Sequence, residues 1–263
     1  MRLIVHAGFH KTGTSSIQQT LEANRATLAP AYRVMLKADM PGLTEAARAY
    51  SQTMDEVEWA LFVFEAARVF TGLERSDPRP VLMSSEDLSG HMPFRHGQNE
   101  YAAAPRLMAG LAEIGRESGG ASDIDFLFTT RAAGPWVKSC YAQHLRATRI
   151  TDDLDSYAAR ALPHADLDAM VDRIAAAVDP VSVHRARLED IGARPLGPLD
   201  ALLDLAGVDP GLRANLARLP PANTAMPPEV LNQLLALNRS DQDWAAIRAQ
   251  KKTLVRQVRK AAR

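Results

Sequence analysis

A run of lysine, glycine and hydroxyl-bearing residues near the amino terminus has the chemistry to bind a phosphate group. In order it reads Gly8, Phe9, His10, Lys11, Thr12, Gly13, Thr14, Ser15 and Ser16. It follows a short apolar segment, Leu3 to Val5, and leads into a helical pattern. The first turn of such a helix presents free backbone N–H groups at the positive end of the helix dipole, and these bind an anion without a special side chain. Gly13 lets the backbone approach the anion, the hydroxyl groups add donors, and Lys11 adds a full positive charge.

The order of lysine and glycine in this loop distinguishes it from a Walker A motif. A Walker A loop has lysine directly after glycine, followed by a Ser or Thr for magnesium. Here Lys11 precedes Gly13 by two positions, so the match is poor. An ordinary strand, turn and helix with a Ser or Thr cap is the alternative. A cap uses one hydroxyl and does not require lysine and glycine in this order, so we favour the phosphate site.

A second group of polar residues follows a predicted strand, Ile124 to Phe128. Arg131 stands at the end of this strand, and Ser139 comes eight residues later on a helix whose first turn suits Pro135. Taken alone, Arg131 could be a solvent-facing strand end and Ser139 a neutral position on a helix surface. The two residues gain a functional interpretation only together with the first loop.

These two segments resemble sulfotransferases that use 3′-phosphoadenosine 5′-phosphosulfate (PAPS). The order Lys-Thr-Gly-Thr-Ser is similar to their 5′-phosphosulfate-binding loop, PK[ST]GT[TS], with His10 where the family often has proline. Arg131 and Ser139 resemble the Arg and Ser that hold the 3′-phosphate of the cofactor in that family. Bacterial members often carry a W-x-x-S-x-Y-x-Q pattern, which corresponds here to Trp136, Ser139, Tyr141 and Gln143. The family's third cofactor element, a basic loop with glycine near the carboxyl terminus, is not recognisable.

The resemblance implies a three-layer α/β/α fold with a mostly parallel sheet, similar to the P-loop nucleotide-binding architecture. It also implies transfer of a sulfuryl group from PAPS to a hydroxyl acceptor, with a glycan or glycolipid as the expected acceptor. Lys11 would stabilise the bridging oxygen as it leaves. The residues expected to bind the cofactor are His10, Lys11, Thr12, Gly13, Thr14, Ser15, Ser16, Arg131 and Ser139. We expect no metal, because the seven histidines show no metal-ligand spacing.

The transfer needs a base to accept the proton of the acceptor hydroxyl. A predicted strand, Val81 to Met83, ends just before Glu86, and the carboxyl ends of parallel strands line the ligand crevice of an open α/β sheet. Glycan-modifying members of the family use a Glu at a similar place, which makes Glu86 the candidate base. His91 is the alternative, because cytosolic members that act on small molecules use a His. A structural alternative is that Ser84 and Asp87 form a capping box and Glu86 only stabilises the first helical turn.

Apolar runs alternate with helical patterns along the chain, which predicts an α/β fold with a parallel sheet. The predicted strands are Leu3 to Val5, Tyr32 to Leu36, Val81 to Met83, Ile124 to Phe128 and Val181 to Val183. The predicted helices are Ser15 to Leu28, Trp59 to Leu73, Tyr101 to Arg116, Ala165 to Val178 and Glu229 to Asn238. We interpret residues 1–263 as one sulfotransferase-like domain, with a helical insertion at about 44–71 and a basic helical tail at about 240–263. The stretch from Asn223 to Asn238 is also similar to bacterial members.

Composition limits the partners and the compartment. The 263 residues include 31 basic and 31 acidic side chains, and a zero net charge disfavours nucleic acid as the main partner. The single cysteine, Cys140, fits a reducing compartment, and no apolar run approaches the roughly 20 residues that span a bilayer. The first residues form too short an apolar stretch for a signal peptide, so we expect a cytoplasmic location. The tail from Arg248 to Arg263 lacks acidic residues, and we interpret it as a solvated helix face, with glycan or membrane-surface contact as alternatives.

Two other functions fit the same fold. A P-loop kinase-like phosphotransferase using ATP would need an acidic residue for magnesium, and Asp87 could serve, but the loop order argues against it. A non-catalytic nucleotide-binding protein would keep the loop without turnover, since fold alone does not establish function.

Overall fold

The computed structural model describes residues 1–74, 76–95, 97–118, 121, 123–220 and 226–261, with side chains up to residue 258. The backbone forms two compact units. The first unit comprises Met1–Ala132 and Asp166–Ala222, and the second comprises Ala133–Ala165 and Asn223–Arg263. Asn223, which the sequence comparison with bacterial sulfotransferases singled out, lies outside the described residues, as do the side chains of the last basic residues of the tail.

A five-stranded parallel sheet forms the centre of the first unit. Its strands are β1 (Arg2–His6), β2 (Arg33–Leu36), β3 (Val81–Ser84), β4 (Asp123–Thr130) and β5 (Ser182–Arg187). They lie in the order β2-β3-β1-β4-β5, which confirms the predicted strands and the α/β class. The three apolar residues Leu3 to Val5 are fully buried, as expected for a strand covered on both faces. The loops after β1, β3 and β4 therefore meet at the carboxyl edge of the sheet centre.

Helices connect and cover the strands. In chain order they are α1 (Thr14–Ala23), α2 (Arg25–Leu28), α3 (Pro41–Thr53), α4 (Glu56–Thr71), α5 (Ala104–Glu117), α6 (Ala133–Ala147), α7 (Leu154–Ala161), α8 (Leu167–Val178), α9 (Leu188–Ile191), α10 (Leu199–Ala206), α11 (Pro210–Ala214), α12 (Pro228–Arg239) and α13 (Trp244–Ala261). Short 3-10 helices span Lys37–Asp39, Glu86–Ser89 and Leu162–His164. Helices α6, α7, α12 and α13 belong to the second unit, and the others to the first.

Helices pack on both faces of the sheet, because successive side chains of a buried strand point to opposite sides. On one face, sheet residues including Ile4 and Leu127 form a core with Ile17 of α1 and Leu202 of α10. On the other face, α5 lies against β4: a Cβ on Gly115 would be 3.1 Å from the side chain of Ile124. The first unit is therefore a three-layer α/β/α structure, as expected.

Two predicted helical segments are each divided into two helices. The predicted helix from Ser15 to Leu28 breaks at Asn24, whose side-chain amide donates to the carbonyls of Thr20 (2.8 Å) and Ala217 (2.9 Å). The predicted insertion at 44–71 consists of α3 and α4. Between them, Met54 adopts φ 56°, and Asp55 caps α4 by accepting two backbone N–H groups. Local side-chain hydrogen bonds of this kind compete with a continuous helix.

The second unit is helical. Residues 240–263 of the tail were predicted to be helical, and α13 runs through the described part of this segment. The interpretation of its basic residues as a solvated face is wrong for Lys251, which is 2 % exposed. Its ammonium group donates to the carbonyls of Leu145 (2.6 Å) and Thr148 (2.8 Å) at the end of α6. Among the helices of the described residues, none combines the length and the apolar character needed to cross a membrane.

Candidate active site

The loop between β1 and α1 makes a tight turn that depends on glycine. Lys11 and Gly13 have φ angles of 69° and 100°, in the left-handed region. Gly13 is the residue before α1, and a Cβ there would lie 2.9 Å from Cδ1 of Leu188 and 3.1 Å from Cγ of Pro198. Both the conformation and the lack of space therefore favour glycine at this position.

The amino terminus of α1 has the character of an anion site. In the described part of the chain, no side chain caps this helix, and its first turn carries no acidic residue. The N–H of Ser16 donates to the carbonyl of Gly13 at 2.9 Å. The N–H groups of Thr14 and Ser15 precede that bond, where helix geometry provides no intrahelical partner. They meet the positive end of the helix dipole, which favours a phosphate group.

The hydroxyl groups of the loop divide into two pairs. Thr12 and Thr14 are buried, and their hydroxyls donate to the carbonyl of Phe9 at 2.6 and 3.1 Å. The sequence predicts these two hydroxyls as anion donors, but in the structure both point inward and stabilise the turn. Ser15 and Ser16 are half-exposed. The hydroxyls left for an anion are therefore those of the two serines.

Arg131 lies beside this loop. It follows β4, which pairs directly with β1, and its Nη1 donates to the backbone carbonyl of Lys11 at 3.3 Å. Arg131 as a whole is partly exposed. Ser139, which the sequence analysis pairs with Arg131, is a half-buried residue on α6 in the second unit. The loop and the strand-end arginine thus come together although they are 120 positions apart.

His10 is held on one side of the loop by an aromatic residue. The hydroxyl of Tyr101 accepts the backbone N–H of His10 at 2.9 Å and lies 3.1 Å from its Nδ1. Nε2 of His10 is 3.5 Å from a carboxylate oxygen of Asp87. His10 is therefore fixed through its backbone and through both of its ring nitrogens.

Glu86 is half-buried in the 3-10 helix that follows β3. Its carboxylate accepts a hydrogen bond of 2.7 Å from the side-chain amide of Gln18 on α1. The expected cap is shifted by one residue: Ser85 rather than Ser84 accepts the N–H of Asp87, because the hydroxyl of Ser84 lies against His6. The contact with Gln18 ties Glu86 to the helix that begins at the phosphate loop.

Asp87 and His91 have other partners. Burial would raise the pKa of the Asp87 carboxyl, but its hydrogen bonds with His10 and Lys37 outweigh this and lower the pKa to about 2. His91 donates its backbone N–H to the hydroxyl of Ser51 at 2.8 Å, and its Nε2 is 3.4 Å from Nη2 of Arg48. Asp87 is therefore an ionised partner of nearby cations, and His91 is oriented toward α3.

Several residues around this site were not predicted from the sequence. Gln18 has no sequence signal, since it is an ordinary polar position of an amphipathic helix. Tyr101 lies 91 positions from His10 and likewise gives no local sign of the contact. Thr129 does have a signal, because it stands at the carboxyl end of β4 close to Arg131.

The chain resembles a solved structure in fold but matches no family by sequence. No protein-family model matches the chain, and no curated protein matches its sequence. Among solved structures, the chain is similar to a sulfotransferase from Alicyclobacillus acidocaldarius, with a TM-score of 0.46 and 17% sequence identity. The match covers 93% of this chain and 98% of that one. A similarity of this kind does not by itself establish a function.

Proposed function

We propose that this protein is a sulfotransferase that moves a sulfuryl group from PAPS to a hydroxyl group of a carbohydrate. The observation that carries the proposal is the 3.3 Å hydrogen bond from Arg131 to the carbonyl of Lys11. A phosphate loop alone would suit many nucleotides. A guanidinium fixed at the edge of that loop adds a second anion contact, as a nucleotide with phosphates at two separate positions requires.

The residues present fit such a nucleotide. The uncapped start of α1 and the turn at Gly13 suit the 5′-phosphate, which the backbone from Thr12 to Ser16 would hold. Arg131, in the same unit as the loop, would hold the 3′-phosphate, and Ser139 is the second contact that the family resemblance implies. When bound, the donor supplies a sulfuryl group whose bond to the 5′-phosphate oxygen breaks as its bond to the acceptor oxygen forms.

Lys11 would stabilise the negative charge that develops on the leaving phosphate oxygen. Its backbone is held in the left-handed conformation, and its carbonyl is fixed by Arg131. The Cα atom of Lys11, from which its side chain extends, therefore has a defined position. The backbone of Lys11 is thus fixed at the loop from which its ammonium group would reach the leaving oxygen.

Glu86 would accept the proton of the acceptor hydroxyl. Support for Glu86 over His91 comes from their contacts: Gln18 of α1 binds Glu86, whereas His91 contacts Ser51 and Arg48 of α3. A carboxylate base also supports a carbohydrate acceptor, by resemblance to the glycan-modifying sulfotransferases. A magnesium-dependent phosphotransferase is less well supported, because its candidate ligand, Asp87, is already paired with cations.

Calorimetric titration with 3′-phosphoadenosine 5′-phosphate tests the donor. We expect metal-independent binding by the wild type and at least tenfold weaker binding by Arg131→Ala. Arg68→Ala is the matched control, because Arg68 is an exposed arginine on α4 in a surface ion pair with Glu65. A preference for magnesium–ATP, or equal binding by Arg131→Ala, would contradict the proposal. Turnover of PAPS with a carbohydrate panel then separates an enzyme from a non-catalytic binding protein.

A further inference from the structure

A chain of buried hydrogen bonds crosses the sheet beneath the phosphate loop. Nδ1 of His6 on β1 lies 2.8 Å from the hydroxyl of Ser84 on β3, and its Nε2 lies 3.3 Å from the hydroxyl of Thr129 on β4. The Thr129 hydroxyl is in turn 2.7 Å from that of Thr12 in the loop. All four residues are 0 % exposed. The chain therefore joins three strands to the loop without solvent.

The loop end of this chain determines the direction of its hydrogen bonds. The hydroxyl of Thr12 lies 2.6 Å from the carbonyl oxygen of Phe9, which can only accept. Thr12 therefore donates its single proton to Phe9. The contact between Thr12 and Thr129 then needs its proton from Thr129.

The same reasoning assigns the proton on His6. Because the Thr129 proton is committed to Thr12, the hydrogen between Thr129 and His6 must belong to Nε2 of His6. Burial lowers the pKa of His6 to about 3, so its ring is neutral at pH 7. Nδ1 then has no proton and accepts the hydroxyl of Ser84.

We propose that His6 is a positioning residue for the phosphate loop. As the neutral imidazole with its proton on Nε2, it orders the hydroxyls of Thr129 and Thr12, and these fix the turn from Phe9 to Gly13 that leads into α1. Gly8 leaves room for the arrangement, since a Cβ there would lie 2.5 Å from Nε2 of His6. This role concerns the conformation of the loop and does not depend on which anion binds there. Only the nucleotide titration described below rests on the proposed function.

Nitrogen-15 NMR of histidine-labelled protein tests the proton position directly. The seven histidines give separate ring signals, and the set lost in His6→Gln belongs to His6. We expect a protonated Nε2 and an unprotonated Nδ1, both unchanged from pH 5 to pH 8. Thr129→Val should shift the Nε2 signal of His6 and the amide signals of Thr12 and Gly13. A proton on Nδ1, averaged nitrogens or unmoved loop amides would overturn the proposal.

Thr44→Val is the matched control for Thr129→Val. Thr44 is also buried, and its hydroxyl donates to backbone carbonyls within its own segment, at the start of α3. It should leave the signals of His6 and of the loop in place. Equal shifts in both variants would mean a general loss of packing and would overturn the assigned role.

Nucleotide titration provides a second readout with a conservative variant. We expect His6→Leu to bind 3′-phosphoadenosine 5′-phosphate at least tenfold more weakly than the wild type, and His6→Gln, whose amide can donate in place of Nε2, within about threefold. Equal binding by His6→Leu would overturn the positioning role. If the wild type itself does not bind this ligand, the proposed function fails, and the NMR result on the loop amides decides the role of His6 alone.

Discussion

The side-chain amide of Gln18 donates a 2.7 Å hydrogen bond to the carboxylate of Glu86. Gln18 lies in the second turn of α1, the helix that begins at the phosphate loop, and Glu86 follows β3. The candidate base and the candidate anion site are therefore held by the same helix.

Glu86→Gln keeps the shape and the contact with Gln18 but removes the base. We expect turnover to fall by about 10²- to 10⁴-fold, the range typical of a lost general base. Nucleotide binding should change less than about threefold, because the anion contacts come from the loop. Steady-state kinetics and calorimetry measure the two quantities. Glu45→Gln, an exposed carboxylate on α3, is the control, and full turnover in Glu86→Gln would exclude Glu86 as the base.

Gly13→Ala tests the left-handed turn. The substitution places a Cβ 2.9 Å from Leu188 at a φ of 100°, so we expect the free energy of unfolding to fall by about 1 to 2 kcal/mol. Nucleotide affinity should fall at least tenfold, because the turn supplies the backbone donors. Gly134→Ala on α6 is the control, since, among the described residues, the added methyl group meets nothing within 4 Å beyond its chain neighbours and the backbone of its own helix. Urea unfolding and calorimetry measure both effects, and unchanged affinity in Gly13→Ala would contradict the site.

The pH dependence of stability should contain a contribution from His6. Burial lowers its pKa from 6.5 to about 3 in the folded protein, so below pH 6.5 the unfolded chain binds a proton that the folded chain does not. Stability should therefore fall as the pH drops from 6.5 toward 3, by roughly 1.4 kcal/mol per pH unit for this group. Urea unfolding at pH 7 and pH 5 should show that His6→Gln loses less stability than the wild type as the pH falls. His164→Gln, at an exposed position, should leave the loss unchanged, and equal losses in all three proteins would refute the burial effect.

Lys251 anchors α13 to the carboxyl end of α6. Replacing Lys251 by methionine leaves two carbonyls without their donor. We therefore expect the free energy of unfolding of the second unit to fall by about 1 to 3 kcal/mol. Lys252→Met, at the exposed neighbouring position, is the control and should have little effect. Circular dichroism during urea unfolding measures the change. Equal stability of the two variants would show that the buried contacts contribute nothing.

The same lysine gives a stability change at high pH. Burial lowers its pKa from 10.5 to about 8, so between these values the unfolded chain binds a proton that the folded chain has lost. Stability should therefore rise from pH 8 to pH 10.5, and this rise should be absent from Lys251→Met. The measured quantity is the free energy of unfolding of the wild type minus that of Lys251→Met, followed from pH 8 to pH 10.5. A fall in wild-type stability relative to the variant would give the wrong sign.

The sequence predicts the strands and the loop well because their signals are local. An apolar run such as Leu3 to Val5 and the order of Lys11 and Gly13 can be recognised without knowing the rest of the structure. The roles of Thr12 and Thr14 could not be predicted, since their hydroxyls turn inward only because the turn brings them to the carbonyl of Phe9.

Contacts between distant segments account for the other differences. The basic tail is predicted as a solvated face because Lys251 resembles its neighbours in sequence, yet the end of α6 provides it with two carbonyls. Glu86 is likewise recognised only as an acidic residue after a strand, because its partner Gln18 is 68 positions away. Residue type predicts chemistry here, whereas partner and burial depend on tertiary packing.

The position of β1 between β3 and β4 has a consequence for how the candidate site is assembled during synthesis. The loop up to Ser16 leaves the ribosome long before Arg131, yet the two meet only once β4 has paired with β1. A nascent chain that ends before β4 therefore carries the glycine turn without its guanidinium partner. Under the proposed function, ligand binding would therefore report on the pairing of β4 with β1 rather than on the early formation of the loop.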